Sequence, residues 1–596
     1  MIKLLKYINK WAYVLIFLVI GLVIVQVYSD LELPTRLSNI LTSASTADGL
    51  RAQGLLTPDL ETKYFNEVLH NGLEMLGFAA LSLISSFSVG FLASRISASF
   101  SYNLRKAVYK KIQSFSISEI DKFSTASLIT RTTNDITQIQ MVVVMTLRMA
   151  IAAPTMAILG IIKAENIEAS ANLSLIVVIS VIALVTLVVS LFLIVLPKFK
   201  KIQEFTDRLN LVTRENLTGI RVVRANCAQE YQENKFNDVN IAVTKNNTFV
   251  NRVLSIMNPG MMIIMNGTSL AILWVGAYII EENPLFLGSV FGFQQITMMI
   301  VMAFMQLIMI FIMVPRGLVS ARRVRDVLDV EPSIMSPQVC ISPEEGVEGE
   351  LEYKDVSFSY PNSNENVLDH ISFQAKNGDT IAIIGSTGSG KTSLIHLLPR
   401  FFDATSGDIM VDGVSVKDYD LKLLRKKIGF IAQKALLFKG TIRSNLLYGN
   451  PEATEEEMKE ALKLSMAYDF VMEHPDGLNQ PVSQGGANFS GGQKQRLSIA
   501  RALIKKPEFI VFDDSFSALD FKTDKMLRDN LKQLDYTPTK IIVAQRIGTI
   551  MDADLILVLD KGKVVGSGTH KELIQSCTVY QEIAYSQVSK EEIENA

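Results

Sequence analysis

The sequence predicts an α-helical membrane domain, built from six transmembrane helices with long cytoplasmic extensions, fused to an α/β domain that contains a phosphate-binding P-loop. Hydrophobic residues make up 48% of the 596 residues, and the mean hydropathy is +0.26. The apolar residues are concentrated in the N-terminal half, in segments long enough to cross the roughly 30 Å hydrocarbon core of a bilayer. The C-terminal part instead alternates β-branched runs with helical patterns, which indicates a largely parallel sheet.

Six apolar segments define the predicted spans. They lie near residues 12–28, 72–94, 141–162, 173–196, 253–280 and 286–314. The second is the weakest, because Ser82, Ser85, Ser86 and Ser88 dilute its hydropathy, and by hydropathy alone it is also compatible with a buried helix of a soluble protein. The first follows three lysines, as in a signal peptide, but it is too long and lacks a small-residue cleavage pattern, so a retained span is predicted.

The charges of the connecting loops predict the orientation. The loops between spans two and three and between spans four and five are rich in Lys and Arg, whereas the opposite loops are acidic or neutral. Since basic loops remain in the cytoplasm, both long loops and both termini are predicted to be cytoplasmic. Residues 105–140 and 199–252 are rich in helix formers, which predicts helical extensions of the spans. Short turns near 118–123 and 226–231 are candidate contacts for a cytoplasmic domain, and solvated loops are the alternative.

Two features of the spans bear on a ligand. Arg148 lies mid-way along the third span, where a charge is costly, so we expect a buried ion pair or a water-facing position; snorkelling from a misplaced span edge is the alternative. Spans five and six are rich in methionine, whose flexible thioether adapts to dissimilar apolar ligands, so the group favours a broad, apolar substrate, although packing or lipid contact is the better explanation for any single residue. These methionines are Met257, Met261, Met262, Met265, Met298, Met299, Met302, Met305, Met309 and Met313.

The composition argues against several other classes. A net charge of -2 without a basic domain suggests no nucleic-acid partner. The three cysteines are far apart and have no metal-ligand spacing, so neither structural zinc nor a disulfide framework is predicted. After the sixth span, a basic segment and three prolines indicate a linker. The predicted organisation is therefore a membrane domain over 1–325, a linker over 326–346 and a nucleotide-binding domain over 347–596.

A complete P-loop lies near the start of the C-terminal domain. The predicted strand 380–384 leads into a glycine-rich loop and then into an apolar helix, the context that this motif requires. Its backbone N–H groups would surround phosphate oxygens, Lys391 would reach the β and γ phosphates, and Thr392 would bind Mg²⁺. The loop residues are Gly385, Ser386, Thr387, Gly388, Ser389, Gly390, Lys391 and Thr392.

Two further segments carry related chemistry. The apolar strand 509–512 ends in Asp513, whose carboxylate would hold the Mg²⁺ shell. Small residues at 489–492 precede a helix and so provide a second N-terminus that attracts phosphate. Because one rigid domain does not place this helix on its own P-loop, a sandwich of two such domains is expected.

Together these motifs resemble an ABC transporter nucleotide-binding domain, and with six spans in front the chain resembles an ABC exporter half-transporter of the type IV fold. The resemblance implies ATP and Mg²⁺ as cofactors. It implies that Tyr360 stacks on adenine, that Ser393 joins the P-loop in nucleotide binding, and that Gln433 is the Q-loop residue, which contacts Mg²⁺ with Thr392 and Asp513. It also implies a signature motif and a D-loop, formed by Phe489, Ser490, Gly491, Gly492 and Gln493 and by Ser517, Ala518, Leu519 and Asp520.

Two positions depart from the family pattern. Asp514 occupies the place of the usual Glu after Asp513, and Gln545 occupies the place of the usual switch His. Asp is one methylene shorter than Glu, and Gln carries neither the charge nor the exchangeable proton of His. These positions predict a site that binds Mg-ATP but hydrolyses it slowly.

The resemblance therefore implies the degenerate-site subunit of a heterodimeric multidrug-type exporter in a bacterial plasma membrane. Its partner would be a second half-transporter subunit, and its substrate a small amphiphilic compound. Alternatives are a homodimer of weak activity, a lipid or peptide exporter, and a regulatory ABC protein gated by nucleotide.

Overall fold

The computed structural model describes residues 2–167, 170–344, 346–361, 363 and 365–587. Residues 1, 168–169, 345, 362, 364 and 588–596, which fall within the predicted domains and linker, lie outside the described residues. The chain forms two compact units, one of residues 1–112 and 126–330 and the other of residues 113–125 and 331–596.

Long helices build the first unit. In chain order the helices of the N-terminal half are α1 Lys10–Ala52, α2 Pro58–Gln113, α3 Ile117–Phe123, α4 Thr125–Thr132, α5 Asn134–Met145, α6 Ile151–Glu165, α7 Ser170–Thr218, α8 Ile220–Ala225, α9 Gln229–Ser255, α10 Met257–Glu282 and α11 Leu287–Leu328. A π-helical turn, Thr146–Ala150, joins α5 to α6, and 3-10 helices cover Ile2–Tyr7 and Pro284–Phe286.

Six helical stretches are long and apolar enough to cross a membrane, as predicted. Within the described residues they are Lys10–Ala52, Pro58–Gln113, Thr125–Glu165, Leu173–Thr218, Gln229–Glu282 and Pro284–Leu328. With a rise of about 1.5 Å per residue, a helix the length of α1 extends over roughly 65 Å, about twice the thickness of the hydrocarbon core. The predicted span near 12–28 covers only part of this helix, which continues to Ala52 through a segment predicted from the sequence as the loop between the first two spans.

α1 packs on α6 and α11. Val19, Val23, Val27 and Leu31 recur every four residues and are fully or almost fully buried, because this spacing places them on one helical face. At the end of this face the buried Glu32 pairs with Lys163 of α6 at 2.5 Å.

The serines that weaken the second span face the interior of the unit. Ser85 is buried with Val89 and Ala93 on the same face of α2, and Ser82 donates a hydrogen bond to Asp30 of α1 at 2.5 Å. The opposite face of α2 exposes large apolar residues such as Leu83 and Phe87. The low hydropathy of this span therefore reflects a polar inner face, and its outer face is as apolar as a bilayer requires.

The second unit is an α/β domain. Its strands are β1 Leu351–Phe358, β2 Leu368–Ala375, β3 Thr380–Gly385, β4 Ser406–Val411, β5 Val414–Ser415, β6 Ile428–Ile431, β7 Gly440–Thr441, β8 Pro481–Val482, β9 Phe509–Asp513, β10 Thr539–Val543, β11 Leu555–Asp560 and β12 Lys563–Gly568. Its helices are α12 Lys391–Leu397, α13 Leu421–Lys427, α14 Ile442–Leu446, α15 Glu455–Leu464, α16 Tyr468–Met472, α17 Gly491–Leu503, α18 Phe521–Lys532, α19 His570–Ser576 and α20 Thr578–Tyr585. Short 3-10 helices cover Gly477–Asn479, Gln484–Gly486 and Ile547–Thr549.

The central sheet has the strand order β12-β11-β3-β10-β9-β6 and is parallel except for β12. The largely parallel sheet predicted from the sequence is therefore present. A second sheet, with the order β2-β1-β4-β5, is antiparallel throughout and was not expected from the sequence. In the central sheet β10 pairs with both β3 and β9, so the carboxyl ends of these three strands meet at one edge.

The segment around α3 belongs to the second unit. Where the sequence suggested only a turn near 118–123, a seven-residue helix forms. Ser116 and Glu119 make a capping box at its N-terminus, and Glu119 also accepts a hydrogen bond from the Ser333 backbone N–H at 3.3 Å. The second predicted turn lies in the first unit, between α8 and α9, where Tyr231 is exposed.

Candidate nucleotide site

The P-loop connects β3 to α12 and opens at the carboxyl edge of the central sheet. Gly388 and Gly390 have φ angles of 84° and 99°, in the left-handed region that favours glycine. A Cβ at Gly390 would lie 2.7 Å from the Leu368 side chain, whereas one at Gly388 would have no neighbour within 4 Å. The loop therefore packs tightly on one side and leaves open space on the other, as a phosphate cradle requires.

Lys391 begins α12 and folds back over the loop. Its Nζ donates hydrogen bonds to the carbonyl oxygens of Gly385 and Ser386 at 2.9 and 2.7 Å. Burial lowers the pKa of Lys391, and the carboxylates of Asp514 and Asp513 oppose this shift. The ammonium group is thus held at the loop opening between backbone carbonyls and two acidic residues.

Thr392 and Asp513 bring a hydroxyl and a carboxylate together at the end of β9. Thr392 Oγ1 donates to Asp513 Oδ1 at 2.9 Å. Burial raises the pKa of Asp513 and the Asp514 carboxylate raises it further, against the effects of Thr392 and Lys391. A bound cation would favour the ionised form. This hydroxyl and carboxylate are hard oxygen donors of the kind that suits Mg²⁺ beside phosphate, and Gln433 reaches the neighbouring Asp514 through its amide nitrogen.

Asp514 is the centre of a hydrogen-bond network that joins the two departures from the family pattern. Its side chain is buried, and its Oδ2 accepts one hydrogen bond from Gln545 Nε2 at 2.7 Å and another from Gln433 Nε2 at 3.1 Å. Its backbone N–H donates to Val543 O at 3.0 Å, with φ at 46°. A left-handed φ is unfavourable for a non-glycine residue, so the surrounding bonds hold this carboxylate in place.

Tyr360, predicted to contact adenine, lies beside α12. Its hydroxyl and Ser393 Oγ are 2.9 Å apart, and its ring makes edge contacts with Phe358 and Phe402. The ring is half-buried, so part of it stays accessible. Its stacking on adenine stays a prediction.

The signature motif forms the exposed N-terminus of α17. Ser490 and Gln493 make a capping box, in which Ser490 N donates to Gln493 Oε1 at 2.9 Å and Gln493 N donates to Ser490 Oγ at 3.3 Å. Phe489 beneath them is buried. The first turn of α17 therefore has a fixed geometry, and its N-terminal end faces outward from the domain.

The D-loop lies between Asp514 and the signature helix. Ser517 Oγ donates to Asp514 O at 2.8 Å, and a Cβ at Gly492 would lie 3.4 Å from Ala518 O. Asp520 caps α18 by accepting from Thr523 N, and hydrogen bonds from Thr523 lower the pKa of Asp520. Hydrogen bonds thus join Thr392 of the P-loop to Asp513, and Gln433 and Gln545 to the adjacent Asp514, while the signature motif makes its own separate set.

One contact of this site was missed by sequence reasoning. Gln587, after α20, donates from Nε2 to Gln545 O at 2.7 Å and accepts from Ile547 N at 2.9 Å. It therefore clamps the backbone on both sides of the switch position. No local sequence signal marks Gln587, because the contact joins residues about forty positions apart.

Comparison with known proteins agrees with this geometry. The sequence model of the ABC transporter family matches residues 368–517, and that of the ABC transporter transmembrane region matches residues 4–304. The chain belongs to the ABC transporter family. It carries one transmembrane domain and one ATPase domain, which is the organisation of an exporter half-transporter, and it is a multi-pass membrane protein that couples ATP hydrolysis to transport.

Several relatives of this ABC transporter cover most of its length. An uncharacterized ABC transporter ATP-binding protein of Mycobacterium tuberculosis is 38% identical over 87% of this chain and 89% of that protein. Another uncharacterized ABC transporter ATP-binding protein, from Bacillus subtilis, is 36% identical over 94% and 95%. An ATP-dependent lipid A-core flippase of Desulfotalea psychrophila is 30% identical over 89% and 93%.

A solved structure has the same fold. A bacterial Atm1-family ABC exporter with ATP bound superimposes with a TM-score of 0.77, covering 98% of this chain and 99% of that chain at 20% identity. The predicted fold class is therefore confirmed across both domains.

Proposed function

We propose that this chain is one subunit of a heterodimeric bacterial exporter of amphiphilic compounds, and that its own ATP site binds Mg-ATP but hydrolyses it slowly. Nucleotide binding rests on the P-loop, with Lys391 on the phosphates and Tyr360 on the base. Thr392, Gln433 and Asp513 hold Mg²⁺, which screens the phosphate charge when bound. The signature motif completes the ATP site of the partner subunit.

The network around Asp514 carries this proposal. A carboxylate that orients or deprotonates the attacking water must lie within about 2.6 to 3.2 Å of it. Asp514 is one methylene too short for the family geometry, and its Oδ2 already accepts hydrogen bonds from Gln545 and Gln433. Gln545 in turn holds no proton to transfer and no charge to stabilise the γ phosphate. Losing both groups reduces the rate by roughly 10² to 10⁴.

The exposed signature motif supports a two-subunit arrangement. The capped N-terminus of α17 offers backbone N–H groups to a phosphate from outside its own domain. In a heterodimer this motif serves the partner's nucleotide, while a catalytic Glu and a switch His on the partner perform hydrolysis there. Transport then continues although this chain's own ATP site hydrolyses slowly, because the signature motif of this chain is intact and serves the partner's site.

The loop charges support export from the cytoplasm across the plasma membrane. Both long polar loops are basic, which favours a cytoplasmic position for these loops and for both termini. Among substrates, lipids are a second candidate class, because a relative at 30% identity is named as a lipid A-core flippase. Uptake of a fluorescent amphiphile into inverted vesicles, compared with flipping of a labelled phospholipid, separates the two substrate classes.

ATPase measurements test the proposal. The chain purified alone in nanodiscs should bind ATP yet turn it over slowly, and coexpression with a second half-transporter that carries the catalytic Glu and the switch His should give rapid turnover. Rapid hydrolysis by this chain alone would reject the heterodimer. A pump also builds a substrate gradient, whereas a nucleotide-gated regulatory protein dissipates one, so accumulation against a gradient tests the exporter function itself.

A further inference from the structure

The turn that contains Arg148 departs from regular α-helix. α5 ends at Met145, residues Thr146–Ala150 form a π-helical turn, and α6 begins at Ile151. Such turns are rare and frequently occur at functional sites, because the extra residue redirects the side chains around it. Arg148 lies in the middle of this turn and its side chain is exposed. The structure thus favours the water-facing alternative that the sequence left open.

Arg148 lines a half-open cavity of about 580 Å³ in the first unit. Polar side chains from four helices line it with Arg148, including Gln26, Ser86, Gln140 and Gln306. A second cavity of about 300 Å³ shares Gln26 and Gln306 with the first, so the two adjoin. Together they offer enough room for a ligand with a polar head and an apolar body.

Methionines provide the apolar lining of both cavities. Met141, Met145 and Met149 line the first, and Met298, Met299 and Met302 line the second. Thioether side chains repack around different apolar shapes, so this lining accepts chains or rings of varied outline. The lining limits the size and polarity of the apolar body more than its exact shape.

The charges of the two cavities differ. No Asp or Glu lines the first cavity, and in the part of the chain that the structure describes Arg148 makes no ion pair. A second guanidinium, that of Arg105, donates a hydrogen bond to Thr137 of this lining at 3.4 Å. The second cavity contains Asp30, whose carboxylate accepts a hydrogen bond from Ser82. A negative group is therefore attracted to the first cavity and repelled from the second.

The geometry points to a substrate of defined charge: an amphiphile whose anionic group, a carboxylate, sulfonate or phosphate monoester, binds Arg148, and whose apolar body lies along the methionines. A guanidinium charge without an ion-pair partner is energetically costly within a membrane domain. Its planar set of N–H donors matches the geometry of carboxylate, sulfonate and phosphate oxygens. This inference rests on the proposed function as an exporter of amphiphiles, which it narrows to anionic ones.

A matched set of probes tests the charge preference. The probes are a dansylated long-chain carboxylic acid, its methyl ester and the corresponding long-chain amine, each titrated without nucleotide into the assembled complex in nanodiscs of zwitterionic phospholipid. Dansyl fluorescence reports the Kd. We expect the acid to bind at least about 10-fold more tightly than the ester, because a hydrogen bond to a charged group contributes that much, and the amine to bind most weakly. Equal binding of acid and ester, or tighter binding of the amine, would overturn the inference without any variant.

Variants of Arg148 test whether this residue causes the preference for the acid over its ester. Arg148→Gln should remove the difference between acid and ester, Arg148→Lys should retain part of it, and Arg322→Gln, at an exposed arginine outside the cavity lining, should leave it unchanged. An unchanged preference in Arg148→Gln would contradict the assignment. Because the probes bind without ATP, this outcome is independent of the slow ATP site, which turnover measurements test separately.

Discussion

The phosphate-binding part and the hydrolytic part of the nucleotide site lie at the same sheet edge, yet their side chains differ in how closely they follow the family pattern. The P-loop after β3 has its glycines, Lys391 and Thr392 in the geometry that surrounds phosphate. After β9 and β10, two positions and one position from β3 in the sheet, Asp514 and Gln545 bond to each other. The comparison teaches that nucleotide binding and nucleotide hydrolysis depend on separate residues, so one property can weaken while the other is retained.

Restoring the hydrolytic part should give the largest effect. Asp514→Glu combined with Gln545→His lengthens the carboxylate by one methylene and returns an ionisable group to the switch position. We expect hydrolysis at this site to increase roughly 100-fold or more, measured as single-turnover cleavage of ATP by the chain purified alone. ATP affinity should change little, since the P-loop is untouched.

The matched control removes the carboxylate altogether. Asp514→Ala should leave most of the turnover of the assembled complex intact, because the partner site performs it. Loss of turnover as complete as that caused by removing the partner's catalytic carboxylate would show that this site is itself hydrolytic.

Removing the positive charge of Lys391 in the P-loop should weaken ATP binding, a property that is measured without ATP hydrolysis. Lys391→Ala deletes the ammonium group beside the phosphate cradle, and we expect the ATP affinity of this chain to fall roughly 10- to 100-fold. Titration with a fluorescent ATP analogue measures it. Lys525→Ala, an exposed lysine on α18, serves as the control; equal losses in the two variants would indicate a general effect of charge.

Glu119 lies in the second unit but outside the nucleotide site, and it offers a comparison with Asp514, because it is also a buried carboxylate that accepts hydrogen bonds. Burial raises the pKa of Glu119, but hydrogen bonds from Ser116 and Ser333 outweigh it and hold the pKa below the ordinary value of 4.5. The ionised form is therefore favoured by folding, so its contribution to stability is complete at neutral pH and is lost as the pH falls below about 4.5.

Glu119→Gln should accordingly reduce the stability of α3 docking by about 1 to 2 kcal/mol at pH 7 and by less near pH 4. Hydrogen exchange of residues 116–123 and 333 in the purified protein measures the loss. Asp121→Asn, on the exposed side of the same helix, should have almost no effect, and a similar loss in this control would refute a specific role for Glu119.

The smallest expected effect concerns Gln587. Gln587→Ala removes two hydrogen bonds to the switch segment, each contributing about 0.5 to 1.5 kcal/mol. Amide exchange at 545–547 should become faster while ATP affinity stays within about 3-fold of the wild type. Ser586→Ala, whose hydroxyl bonds only within its own helix end, is the comparison; unchanged exchange in Gln587→Ala would mean that the clamp has no energetic role.

The sequence predicted those features that local pattern determines. Hydropathy located the six spans, and the glycine spacing located the loop between β3 and α12. It did not predict the antiparallel sheet of β1, β2, β4 and β5, because β1 pairs with β4 about fifty residues further along the chain and local pattern does not determine such a pairing. Nor did it predict the bonds of Gln587 or the bond between Glu119 and Ser333, since each joins segments far apart in the chain.

The packing of α1 on α11 has a consequence for biogenesis. The ribosome adds roughly 230 residues between the end of α1 and the start of α11, which takes about 10 to 50 s at ordinary rates of synthesis. Throughout that time the face of α1 that contains Val19, Val23 and Val27 has only lipid and the helices synthesised before α11 as neighbours. Polar substitutions on that face should therefore reduce the yield of inserted protein more than they change the finished transporter, since the nascent helix meets its last neighbour only after α11 has been synthesised.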